Sequence, residues 1–364
     1  MNRFLHLMIL CAVFVGSVTA GSEKIFVVER ESNSVAVVVN DLPKSHIKEM
    51  HNMNHGVIKF YQDDGYLISR DGYVVRFDPK TEKKLNEYKT SKSAIGFVID
   101  DDYVAIANYD DKSVDILTRD LKPIQKIVTG SRNVGIKIYK NYLIFSEMDN
   151  DKITVLQNTR QKGKDPHFKI FKEFENVGVM PFDAMIKENM YINGFFASPW
   201  FGVVDLEKME FSKIKLELDD RKPVLKVPHF GFWSLSDSKV FIPAVGDDKI
   251  FVYTKEFRYI SSIKTKGLPV FTSLSPDKKY LAVTFSGKDF PTIEIFDTKT
   301  LKKIKSFTFD GKVLHVRWSN EFAKLYVSVN DANKLVVIDT NYWYLSKEIF
   351  GIKKPSGIFI YRGK

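Results

Sequence analysis

The chain has 364 residues, 44% of them hydrophobic, with one cysteine and a formal charge of +10. One cysteine excludes a disulfide framework, a cysteine-based metal site and the paired-cysteine attachment of a c-type haem. The lysines are scattered rather than clustered, so the charge leaves no nucleic-acid footprint and fixes no partner by itself.

Residues 1–20 carry the pattern of a cleavable export signal. Arg3 precedes an apolar run over residues 5–16, and Val18, Thr19 and Ala20 form a small-residue cleavage site before Gly21. The run is shorter than the roughly 20 residues of a spanning helix, so no membrane span is expected. Cys11 follows Leu10, not the small residue that lipid attachment requires.

Residues 21–364 divide into eight units of about 43 residues. The seventh is the clearest, with four short runs joined by turns: PVFTSLS, KYLAVTF, TIEIFD and KKIKSF. Alternating, β-branched runs recur throughout, among them SVAVVVN, YVVRFD, SVDILT, KITVLQ, GVVDLE, KIFVYT and KLVVID. A four-stranded unit repeated at this period predicts an all-β chain, an eight-bladed β-propeller. With strands named a to d from the axis outwards, the a-strands are expected to open near His55, Ala94, Asn133, Phe182, His229, Val270, Leu314 and Ser356. The N-terminus supplies only strands b, c and d of blade one (KIFVVE, SVAVVVN, HIKEM). The C-terminal PSGIFIY supplies its missing strand a and closes the ring.

Antiparallel pairing puts the d-to-a connections and b-to-c loops on one face. The a-to-b turns on the other face are short and polar, as scaffold turns are. The mouth of the channel on the first face is therefore the candidate site. It gathers His55, His229 and His315 from a-strand starts, Arg132 and Asp183 beside them, and Arg70, Asn108 and Asp149 from b-to-c loops. GFFASPWF adds Phe195, Phe196 and Trp200. Imidazole ligates haem iron or moves protons near neutral pH, guanidinium grips carboxylates, and aromatic faces suit a flat macrocycle. The plain readings stand beside these. A histidine at a strand start is also an ordinary hydrogen-bonded scaffold residue, and Asp149 in MDND also fits an Asx turn. No Ser-His-Asp order, Walker loop or dinucleotide fingerprint is present.

The segments MNHGVIKF, SRDGYVVRFD, GSRNVGI, FSEMDNDKI, MPFDAMI, KVPHFGFW, VFIPAVGDDKI and KPSGIFI together resemble the haem d1 biosynthesis proteins. These are relatives of the d1-haem propeller domain of cytochrome cd1 nitrite reductase. The resemblance spans the whole of residues 21–364. It implies non-covalent binding of haem d1 or a tetrapyrrole precursor, and a late periplasmic maturation step for the nitrite reductase of denitrification. It also implies that reductase or other haem d1 maturation proteins as partners, and it leaves a homodimer open. His55 matches the histidine that ligates the tetrapyrrole iron, and Arg70 an arginine that pairs with ligand carboxylates. His229 and His315 match histidines of the second half, and Asp149 and Asp183 match acidic pocket positions. On that pattern His55, Asp149 and Asp183 are the catalytic candidates of a tetrapyrrole-modifying enzyme. His55, Arg70, Asn108, Arg132, His229, His315 and Trp200 are the binding candidates. A non-catalytic haem d1 carrier needs the same ligands without the acids, and a protein-binding scaffold needs neither.

Overall fold

In a computed structural model of the chain, the described residues are 22–217, 233–244, 247–321 and 323–362. They form eight four-stranded antiparallel sheets, seven of which run in simple a-b-c-d order. Blade one is completed from both ends: strand a, Pro355–Tyr361, pairs with strand b, Lys24–Glu29, through Lys24↔Tyr361, Phe26↔Phe359 and Val27↔Ile358. The architecture is the eight-bladed propeller that the repeat predicts, with the expected closure. The predicted export signal, residues 1–20, and His229 lie outside the described residues.

Burial explains the run pattern. Strands b and c are sandwiched between neighbouring blades and read as continuous apolar stretches; every residue of Tyr103–Asn108 is buried. Strands d face solvent and carry lysines, as in Lys84–Lys89. Each seam between neighbouring blades holds its own apolar cluster. Phe26, Leu67 and Phe77 join blades one and two, and Tyr326, Leu335 and Ile358 join blade eight back to blade one. Burial at roughly 25 cal/mol per Å² makes these seams the main stabilising element of the ring.

One strand differs from expectation. Strand d of blade one is Leu42–Ile47, four residues earlier than HIKEM suggests. Asn40 and Asp41 both take positive φ, 51° and 62°, which makes a two-residue hairpin pairing Val39 with Leu42. Asn and Asp tolerate that conformation better than most residues do. Met50, fully buried, belongs instead to the connection leading to His55.

Candidate functional site at the channel mouth

The mouth is set by one register position per blade. After strand b, a residue donates its backbone N–H to a carbonyl just ahead of strand a, and its side chain sits on the rim. Arg30 donates to Lys354 O, Arg70 to Asn52 O, Tyr109 to Ser93 O, Met148 to Arg132 O and Phe196 to Met180 O. Ser286 and Asn330 do the same in blades seven and eight. The rim is therefore cationic at blades one and two and apolar at blades three to five.

His55 ends a 3-10 turn, Met53–His55, before strand a of blade two. The turn is pinned from both neighbouring blades: Asn33 Oδ1 accepts from Met53 N at 3.3 Å, Asp71 Oδ1 accepts from Asn52 N at 3.1 Å, and Met53 is fully buried. The His55 ring stays accessible within the concave mouth. Burial there, then the charges of Arg30 and Arg70, lower its pKa. A neutral imidazole near pH 7 is the form that ligates a metal.

Arg70 donates to Ser93 Oγ and lies over the Tyr109 ring, 5.6 Å from its centroid. Its turn depends on Gly72 at φ +84°, where a Cβ would stand 2.2 Å from Ser91 O. Arg30 has a buried Nε without a hydrogen-bond partner, and burial lowers its pKa. Among the described residues neither guanidinium pairs with a carboxylate. Arg30 is absent from the sequence-level candidates because VERESN reads as a solvated turn. Aligning the units on the end of strand b would have found it, since Arg30 and Arg70 hold the same place.

Arg132 is engaged differently. It pairs with Asp149, Nη2 to Oδ1 2.5 Å and Nε to Oδ1 2.8 Å, and donates to Tyr109 Oη at 3.0 Å. Burial pushes the Asp149 carboxyl up, but hydrogen bonds from the Arg132 side chain and backbone, with the Arg132 and Lys112 charges, hold it below its usual range. That is a carboxylate and not the general acid that a raised pKa would provide. Asp183 lies in the channel wall, 3.6 Å from Lys137 Nζ.

Besides Asp183, four candidates leave the mouth. Asn108 is fully buried: its Oδ1 accepts from Thr90 Oγ1 at 2.9 Å and its Nδ2 donates to Ser113 Oγ and Asp115. It precedes the rim position by one residue, and a one-residue step reverses the face. Phe195 is fully buried for the same reason. Trp200 begins strand c of blade five, donates to Val177 O at 2.9 Å and lies under Lys213, away from the axis. Phe196 does reach the mouth, packing edge-on against Phe182 at 4.9 Å, in a cluster with Met148 and Val134.

His315 is the third residue of strand a in blade eight, inside the channel and not on the rim. Its Nδ1 accepts from Ile358 N at 3.3 Å, and Phe271 and Phe359 flank the ring. Burial, then Arg317, drive its pKa to about 3, so it stays neutral.

An accessible neutral imidazole, two arginines free of carboxylates and an apolar Tyr109–Met148–Phe196 wall fit a flat ligand that carries carboxylates. Among the described residues no group of three or more acidic, histidine or cysteine side chains is placed to hold a metal ion. No helix among them is long and apolar enough to cross a membrane.

The family model for the Cytochrome D1 heme domain matches residues 20–363. The chain is 26% identical to Protein NirF of Pseudomonas aeruginosa over 359 residues, covering 91% of this chain and 89% of that one. It is likewise 26% identical to Protein NirF of Stutzerimonas stutzeri, covering 92% and 90%. Among solved structures, dihydro-heme d1 dehydrogenase NirN in complex with DHE superposes with a TM-score of 0.78 at 21% identity, over 92% of this chain and 74% of that one. Apo AztD from Citrobacter koseri superposes with a TM-score of 0.67 at 14% identity, over 94% and 99%.

Proposed function

Because the chain belongs to the Cytochrome D1 heme domain family, we propose that it binds haem d1, or a tetrapyrrole precursor, non-covalently at the channel mouth and acts in a late step of haem d1 biosynthesis for cytochrome cd1 nitrite reductase. The observation that carries this is His55, neutral and accessible, beside Arg30 and Arg70 with no carboxylate of their own. His55 would supply a nitrogen to iron, Arg30 and Arg70 would grip ligand carboxylates, and the Tyr109–Met148–Phe196 wall would offer apolar contact to the macrocycle. A bound tetrapyrrole iron supplies Lewis-acid and redox chemistry; the protein's own part is to hold and orient it. The export pattern of residues 1–20 makes a periplasmic location part of this reading.

An anaerobic absorption titration of the exported chain with haem d1 tests it. Saturable binding with a ligand-field change lost in His55→Ala is the expected result. No spectral change in the wild type would sink the assignment.

A second reading, a non-catalytic carrier that delivers the cofactor to the nitrite reductase, is favoured by the ion pairing of both candidate acids, Asp149 with Arg132 and Asp183 with Lys137. Asp149→Asn and Asp183→Asn separate the two. If either abolishes precursor conversion while binding persists, the chain is a tetrapyrrole-modifying enzyme. If both variants support maturation at the wild-type rate, it is a carrier.

A further inference from the structure

A further cavity lies away from the mouth. It measures about 470 Å³ and opens at the opposite end of the channel, on the face of the a-to-b turns, between blades seven, eight, one and two. Its lining includes Lys59, Arg317 and Arg362 and no aspartate or glutamate. We propose that this cavity is a second binding site, separate from the mouth, for a small polyvalent oxyanion of the phosphate or carboxylate class.

Arg317 is the anchor. It stands in strand a of blade eight, half-buried, with Nε donating to Ile358 O at 3.1 Å. Its two terminal nitrogens have no acceptor among the described residues, and burial lowers its pKa. Those nitrogens stay open to solvent on the cavity side, where an oxyanion supplies a counter-charge and a two-pronged acceptor. Lys59 reaches in from strand a of blade two. Its amine donates to Phe97 O and lies 4.9 Å from the Phe97 ring centroid. Its side chain keeps some accessible surface along the channel yet is enclosed by protein, and burial, then Lys137, bring its pKa down to about 7. Asp183 is the carboxylate that opposes this shift, and it already pairs with Lys137. Arg362, exposed, stands at the opening. Trp318 stiffens the wall, its indole N–H held by Ser273 O at 3.0 Å. The site does not depend on what the mouth binds.

Calorimetric titration of the whole exported chain, at low ionic strength, with inorganic phosphate in one series and citrate in another tests this. Saturable binding of either anion is expected, and the tighter one names the class. Arg317→Gln should weaken it about tenfold to a hundredfold, as for a lost hydrogen bond to a charged group. Lys59→Met should weaken it too, and it carries the comparison if Arg317→Gln fails to fold. His55→Ala should leave it unchanged. No saturable binding of either anion, or equal affinity in both channel variants, overturns the proposal. So does displacement of the anion by a tetrapyrrole, because the cations would then serve the mouth ligand's own carboxylates.

Discussion

Arg30 and Arg70 hold the same register place in neighbouring blades, but their surroundings differ. Arg70 has Ser93 and the Tyr109 face, whereas the buried Nε of Arg30 has no partner. A ligand carboxylate therefore gains more from Arg30. Arg30→Gln should weaken tetrapyrrole binding about tenfold or more in the absorption titration while the His55 ligand-field signature persists. His315 makes a separate, pH-dependent prediction. Its folded pKa, about 3, lies below the ordinary 6.5, so between these values the unfolded chain binds the extra proton. The stability contributed by neutral His315 is complete above pH 6.5 and is lost as pH falls towards 3. His315→Gln, which keeps an acceptor for Ile358 N–H, should flatten the acid limb of a urea-midpoint profile in that window and leave pH 8 nearly unchanged. A limb as steep as wild type would show that other groups govern it.

At the scale of elements, strands were legible because blade burial writes itself into composition: inner strands apolar, outer strands lysine-rich. Where the reading slipped, a turn decided the outcome. Asn40-Asp41 forms a tight hairpin and moves strand d of blade one four residues forward. The site was legible only to within one residue. Asn108 and Tyr109, or Phe195 and Phe196, are indistinguishable until register says which faces the axis. Trp200 looked like a ligand contact because composition cannot tell strand c from the rim. The SRDG turn tests the same idea from the other side. Gly72 has φ +84° and Ser91 O at its back, so Gly72→Ala should cost about 1–3 kcal/mol or more in denaturant unfolding. It should also weaken tetrapyrrole binding, because Arg70 is two residues away.

The whole molecule is held as a ring by a single strand crossing between the chain's ends. Tyr326 of blade eight reinforces the joint, its hydroxyl 2.7 Å from Glu23 and 2.8 Å from Asp41. Deleting residues 355–364 exposes the edge of Lys24–Glu29 and the apolar cluster of blades eight and one. That variant should lose cooperative unfolding and gain aggregation, read by light scattering. A circular permutant that links the two ends and opens at the exposed turn near Lys208 should keep cooperative unfolding and stay free of aggregation, because blade one then comes from contiguous chain and the closing joint moves to blade five, between its strands c, Trp200–Asp205, and d, Glu210–Lys215.

The joint also orders events in time. Pro355–Tyr361 follows every other strand of the ring in sequence, yet it completes the first blade, so the ring stays open until that strand is made. Asn33, which pins the turn carrying His55, and Arg30 both belong to that first blade. A chain that has not reached that strand, or is cut before it, therefore lacks an assembled mouth, and ligand capture becomes a report that all eight blades have closed. Contacts between such distant parts of the sequence also make folding slow, which leaves the chain unfolded and threadable for longer.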